Sequence, residues 1–459
     1  MAPKILSNIF QSKNGHRWIF WDFLVGFVAF FLAMTITPGR TLTYHGLLIS
    51  VSIIYGLFVT IVVRLCGVTA PGRDYSYSLL EMLFAAAIGS AISFFCIQFI
   101  ANMCLYHFSR TIAVTILAIT FIGVILPRWV ASSVVKTRAV NIALYPSGEN
   151  ASLLKERLKR RGSFNVAGVF CDSKYTCEQV GNEVISLQEK SKEEIVRLLK
   201  DKGISLVVLC ETTDVPEETH DILVDLPLNG IDILSKGAFV ETYFREISLD
   251  YANLHWMASH RSLPGNTAIF SAKRVFDFCV ALTATILTLP LWPLIALAIR
   301  IDSKGSPLFV QKRIGMYGKE FDVYKFRTMV DKAEEKGAFW TVQNDDRITK
   351  LGAFLRKSRL DELPQLINIM KGDMSIVGPR PEAVALGRMY EEQIPYYHRR
   401  YLVPPGLTGW AQICYKYGAS VEDARRKLEY DLYYIRHLSL MFDIQIIIKT
   451  IPSMMKGSR

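Results

Sequence analysis

Long apolar runs and charged stretches divide this chain into segments of different character. Four runs fill its first third, at about 18–37, 47–66, 79–104 and 111–130. Each approaches or exceeds the roughly 20 residues that a helix needs to cross hydrocarbon. A four-helix transmembrane bundle is therefore expected over 1–136. Lys4, Lys13 and Arg17 precede the first run, and Arg128, Lys136 and Arg138 lie at or after the end of the fourth, while the connections that would face the other side carry only Arg40 and Arg110. That bias places both ends of the bundle in the cytoplasm. Trp18, Trp21 and Trp129 suit the two interfaces. The first run is long and lacks a small-residue processing site, so it is expected to stay as an anchor.

From 137 to 262 the period shortens. "AVNIALY" and "SFNVAGVF" read as buried strands, "ENASLLKERLKRRG" as the helix between them, and "KEEIVRLLKDKGISLVVLC" as a further helix and strand. Alternation of this kind predicts a parallel sheet, here a Rossmann-like α/β module. Its first strand-to-helix turn, "YPSGEN", has only Gly148 where a dinucleotide fingerprint has three glycines, which argues against a bound nicotinamide cofactor.

A fifth apolar run opens the last segment, 263–459. Residues 278–299 carry no charge, and on length alone they would cross the membrane. Two features point instead to a re-entrant helix over about 275–300. Lys273, Arg274, Arg300 and Lys304 make both flanks basic, which favours one face for both ends. Pro290 and Pro293 interrupt the run, and an interior proline removes a backbone hydrogen bond and clashes with the preceding turn. Beyond it, "PLFVQKRIGMYGKEFDVYKFRTM" reads as a hairpin, "GAFLRKSRLDELPQLINIMKGD" as a helix interrupted at Pro364, and "EDARRKLEYDLYYIRHLSLMFDIQIIIKTIPSMM" as largely helical. The expected class is membrane α plus α/β, with an α+β catalytic domain at the end.

Composition narrows the partners. Lys and Arg outnumber Asp and Glu 53 to 42, a formal net charge of +11. Such a balance fits nucleic acid, anionic lipid or a phosphorylated substrate; the apolar runs favour membrane lipid and no nucleic acid. The eight cysteines show no C-x-x-C, and reduced, buried thiols are expected.

Chemistry concentrates in "LRKSRLDELPQLINIMKGDMSIVGPRPE". Neighbouring side chains on a helix diverge by roughly 100°, so Asp361 and Glu362 can share a ligand only at a turn or a helix end. Pro364 suits a first helical turn, which would put both acids near a helix N-terminus. Taken alone, they also fit ordinary acids facing a helix dipole. Arg356, Lys357 and Arg359 precede them, and Arg380 lies in a stiff Pro-Arg-Pro stretch. Two carboxylates among fixed cations suit a Mg²⁺-diphosphate: carboxylate oxygens bind magnesium, and arginines pair with phosphate oxygens. A carboxylate can also attack phosphorus. Lys325 and Arg327 in "YKFRTM" add positive charge or contact solvent and lipid headgroups.

These segments, with "KRVFDF", "PPGLTGWAQ" and "YDLYYIRHLSLMFDIQIIIKT", resemble the bacterial sugar transferases, the monotopic phosphoglycosyl transferases, over about 270–459. The upstream bundle and α/β module look like the long form of that family. The resemblance implies transfer of a sugar 1-phosphate from a UDP-sugar to undecaprenyl phosphate at the cytoplasmic face, initiating exopolysaccharide, capsule or O-antigen assembly. It implies that Asp361 is the covalent nucleophile, that Glu362 helps position Mg²⁺, that Arg356 and Arg380 lie near the phosphates, and that Pro290 breaks a re-entrant helix. Leu289 stands where the family often has serine. A homodimer is compatible with this reading. A non-catalytic scaffold of a polysaccharide assembly complex is the competing one; it would not require both Asp361 and Arg380.

Overall fold

The computed structural model describes residues 16–36, 45–65, 87–95, 97–99, 110–135, 140–161, 164–171, 184–186, 190–210, 217–249, 267–330, 347–415, 418 and 420–455. By its contacts the chain divides into two compact units, one ending at Ser248 and the other running from Leu249 to Arg459, with residues 65–67 grouped with the second.

In the first unit, α1 (His16–Ile36), α2 (His45–Leu65) and α3 (Arg110–Val135) coincide with three of the four apolar runs. Of the third run, 79–104, only 87–95 and 97–99 are described, and these are helical; the rest lies outside the described residues. Among the described residues, Trp18–Thr35 and Thr111–Val130 are long and apolar enough to cross a membrane. Small residues allow close packing: a Cβ on Gly26 would come within 2.8 Å of Gly56 Cα, and one on Gly123 within 2.6 Å of Val25. Polar contacts join the same helices. Tyr55 and Thr120 hydroxyls lie 3.2 Å apart, and Arg128 Nη2 donates to Asp22 at 2.7 Å.

The rest of this unit is a five-stranded parallel sheet of order β3-β2-β1-β4-β5, with β1 Val140–Tyr145, β2 Phe164–Cys171, β3 Val184–Ser186, β4 Leu206–Leu209 and β5 Asp232–Ser235. Alternate residues of β1 feed different apolar clusters, Ile142 and Leu144 one, Ala143 and Tyr145 the other. The sheet is therefore buried on both faces, as strands that read as continuous apolar runs require. At the first turn Gly148 supplies a carbonyl to Ser152 N and Oγ, both at 3.0 Å, and so starts helix α4 (Glu149–Arg161). The expectation of reduced, buried thiols holds in full for Cys210; Cys279 and Cys414 are reduced but exposed. It fails at Cys171, which is disulfide-bonded.

The second unit starts with the proline-interrupted run. Helix α5 (Thr267–Thr288) meets α6 (Leu291–Asp302) at a bend of 63°. Pro290 is the N-cap of α6 and Pro293 falls in its first turn. Both positions precede the point where a helical N–H finds an acceptor, so neither proline removes a bond. Val275, Phe278, Leu282, Ile286 and Leu289 form an exposed apolar stripe that Leu294, Leu297 and Ile301 continue past the bend. The base of α5 is polar and buried. Lys273 Nζ lies 2.6 Å from Asp443 and 3.6 Å from Asp277, and Asp277 accepts from Ser375 Oγ and Ile376 N. Next come the antiparallel hairpin β6 (Leu308–Ile314) and β7 (Glu320–Phe326), α7 (Lys350–Ser358), α8 (Gln365–Lys371) and the short parallel pair β8 (Ser375–Val377) and β9 (Gly406–Thr408). The long C-terminal segment forms α9 (Val421–Arg436) and α10 (Leu440–Met455). Trp410, Tyr434, Phe442 and Ile446 centre their core.

Candidate active site

The Asp-Glu pair sits between α7 and α8. Helix α7 stops at Arg359, whose φ of 58° is left-handed. A non-glycine side chain pays steric strain there, on the order of 1 kcal/mol or more. The reversal throws residues Leu360–Glu362 into a 3-10 turn, and Pro364 then caps α8. The interruption expected at Pro364 therefore begins five residues earlier. Both acids are buried at 8% exposure, beside an apolar base in which Leu360 and Leu363 pack against a core of Ile299, Phe326 and Leu355.

Three clasps fix this turn. Asn368, fully buried, donates to Asp322 O at 2.7 Å and accepts from Tyr324 N at 3.1 Å, which ties α8 to β7. Arg274 of α5 donates to Ile369 O and, at 2.6 Å, to Met370 O, satisfying the C-terminal carbonyls of α8. Gly372, at φ 100°, lets the chain turn beside that guanidinium: a Cβ there would stand 3.3 Å from Arg274 Nη2.

Glu362 Oε1 is the focus of the charge. Arg380 Nη2 reaches it at 3.0 Å, Lys325 Nζ at 3.4 Å and Arg359 Nη1 at 3.6 Å. Burial works to raise the Glu362 carboxyl, but Arg380, Lys325 and Arg359 outweigh it and hold the group at about 2. Burial, reinforced by the Arg380 charge, brings Lys325 down to about 8 against the pull of Glu362. Asp361 behaves in the opposite way. Burial raises it and the neighbouring Glu362 charge raises it further, against Lys325, Arg356 and Arg359. Its Oδ1 is buried with no hydrogen-bond partner among the described residues. The site thus pairs a permanently charged acid with a more basic carboxylate whose oxygen is unsatisfied.

Of the residues predicted from sequence, Lys325, Arg380 and Glu362 are brought together, and Arg356 lies close enough to act on Asp361 while its Nε donates to Thr328 Oγ1 at 2.8 Å. Arg327 turns elsewhere: its Nη2 donates to the O and Oγ of Ser303, at the end of α6. Arg359, counted in the sequence only as a neighbouring cation, joins the cluster directly. Among the described residues no three His, Cys, Asp or Glu side chains converge to hold a metal. The donor set fits a Mg²⁺ ion that takes one or two carboxylates from protein and its other oxygens from a diphosphate and water, since Asp361 Oδ1 is a buried oxygen lacking a partner.

Residues 268–457 match the sequence model of the bacterial sugar transferase family. The UDP-N-acetylgalactosamine-undecaprenyl-phosphate N-acetylgalactosaminephosphotransferase of Aeromonas hydrophila is 36% identical over 244 residues, 53% of this chain and 57% of that protein. The UDP-glucose:undecaprenyl-phosphate glucose-1-phosphate transferase of Escherichia coli (strain K12) is 45% identical over 181 residues, 39% of each chain. These two matches thus span less than two thirds of either relative. The exopolysaccharide production protein PSS of Rhizobium leguminosarum bv. phaseoli is 43% identical over 187 residues, 39% of this chain but 94% of that protein. With 94% of that last relative covered, and residues 268–457 matching the family model, the chain belongs to the bacterial sugar transferase family.

Proposed function

We propose that the protein transfers a sugar 1-phosphate from a UDP-sugar to undecaprenyl phosphate at the cytoplasmic face of a bacterial membrane, through a covalent intermediate on Asp361. The observation that carries this reading is the unpartnered, buried Asp361 Oδ1 beside a glutamate ringed by Lys325, Arg359 and Arg380. Those cations outnumber the carboxylate they share, which leaves positive charge for the donor's phosphates. An Asp361 oxygen attacks the sugar-bearing phosphorus, the bond to the bridging oxygen breaks, and UMP leaves. An oxygen of the lipid phosphate then attacks the same phosphorus and the bond to Asp361 breaks, restoring the carboxylate. Mg²⁺, held by Asp361, Glu362 and the diphosphate, would supply charge neutralisation at the phosphate oxygens.

The same reading makes α5 and α6 a re-entrant pair that dips into one leaflet and returns, keeping the acids beside cytosolic donor. The apolar stripe running through the 63° bend supports it. The upstream segment is then a four-helix, multi-pass anchor followed by a Rossmann-like module. Relatives named for both glucose and N-acetylgalactosamine transfer leave the sugar open to assay. Membranes incubated with undecaprenyl phosphate and a panel of radiolabelled UDP-sugars should give labelled lipid and UMP with at least one donor. Asp361→Ala should abolish both; labelled lipid at wild-type rates from that variant removes Asp361 as nucleophile, and no release of UMP by the wild type from any donor favours the scaffold.

A further inference from the structure

The Pro379–Glu382 stretch has two residues without an N–H, so it can be fixed in place chiefly through its carbonyls. All four are engaged. Pro379 O accepts from Gly406 N at 2.8 Å and Glu382 O from Ile314 N at 3.1 Å. Pro381 O accepts from Arg313 Nη1 at 3.1 Å, and Arg380 O from Arg400 Nη2 at 3.1 Å. Glycine is needed where the stretch begins and where it meets β9: a Cβ on Gly378 would stand 2.3 Å from Pro404 O, and one on Gly406 2.0 Å from Gly378 N. Of these four donors, Arg400 alone holds the carbonyl of the residue whose own guanidinium meets Glu362.

Arg400 is itself clamped. It is 5% exposed, its Nη2 also donates to Asp431 Oδ2 at 2.9 Å, and its Nη1 donates to Glu382 Oε1 at 3.3 Å and to the Tyr397 hydroxyl. One guanidinium thus joins α9, which carries Asp431, to the backbone of Arg380. Only a planar fork spans the two acids and the carbonyl at once.

We propose that Arg400 is a positioning residue for phosphoryl transfer: by holding the Arg380 carbonyl against α9 it aims the Arg380 guanidinium at the donor's phosphates beside Glu362. This rests on the transferase reading above. The consequence is coupling, because loss of Arg400 should act only through Arg380. A displacement of about 1 Å at a substrate-binding group costs on the order of a hundredfold in rate, and Arg400→Gln should lower kcat/KM for the UDP-sugar by about that much. Arg400→Lys, which keeps the charge but lacks the fork, should be as slow as Arg400→Gln.

The deciding experiment is a double-mutant cycle on the full-length chain in membranes, with thermal melts of each variant. In an Arg380→Lys background, Arg400→Gln should cost less than about threefold more, whereas independent effects multiply. If Arg400→Gln fails to accumulate, Asp431→Asn, which keeps an acceptor oxygen, replaces it and should couple to Arg380→Lys in the same way. Multiplicative losses in the cycle, or wild-type turnover by Arg400→Gln or Arg400→Lys, overturn the inference while leaving the transferase reading standing. A wild-type protein that releases no UMP sinks that reading instead.

Discussion

Two regions of this molecule bury an acid beside arginine, and they do it differently. In the helical bundle Asp22 meets Arg128 at 2.7 Å with both side chains at 0% exposure, and Arg128 also donates to Val124 O and lies over the Trp18 ring. In the second unit Glu362 meets three cations, of which Arg359 and Arg380 are each 39% exposed. The first arrangement seals the paired charges from solvent, as packing between apolar helices demands. The second leaves cationic charge in excess and partly open, as an anionic ligand demands. Burial of an acid does not identify a site; the surplus and accessibility of its partners do.

The sharpest way to break this contrast is to unbalance the sealed pair. Arg128→Leu takes a buried guanidinium away from Asp22 and should destabilise the protein by about 3–5 kcal/mol, seen as a lower melting temperature in detergent, and adding Asp22→Leu should recover most of the loss. Full stability in the single variant would mean that water reaches Asp22. At the open cluster the effect should fall on turnover rather than melting: Arg380→Lys trades a two-pronged contact for a point charge and should lower kcat/KM by about 10–100-fold, with the melting temperature within a few degrees of wild type. A smaller effect concerns pH. An ordinary lysine keeps its charge to about 10.4, but Lys325 sits at about 8 because of burial and Arg380, so it loses its charge as pH rises through that value. The KM for donor should therefore climb a few-fold between about pH 7 and 9 in the wild type, and stay flat in Lys325→Arg. Smallest of all is Pro293→Ala, within about 0.5 kcal/mol, because the ring occupies a first-turn position; a large loss would place Pro293 in the interior of a continuous helix.

Much of the architecture was legible, for identifiable reasons. Apolar runs announced α1, α2 and α3, and the strand-to-helix alternation announced β1, β2 and β4. Strand β3, three residues long, and β5, which starts on Asp232, carry too little pattern to be read. Proline announced the break at 290 because its missing donor is a local property. The break at Arg359 had no such signal, since arginine is not a residue that favours positive φ, and packing around Leu360 and Leu363 imposes it. Within the site, Asp361, Glu362 and Arg380 stood out by proximity in sequence, and Lys325 by its strand. Arg327, two residues on, was grouped with it by the same logic, yet its guanidinium goes to Ser303. Arg400 was invisible, because its partners are a carbonyl 20 residues away and an aspartate 31 residues away.

The grip of Arg274 on Ile369 and Met370, with Lys273 and Asp277 fastened to Asp443 and Ser375, makes spacing along α5 a matter of register. One extra residue between Arg274 and Asp277 would swing every following side chain by about 100°, so a single-codon insertion there would let go of one anchor or the other and rotate the greasy stripe off its present face at the same stroke.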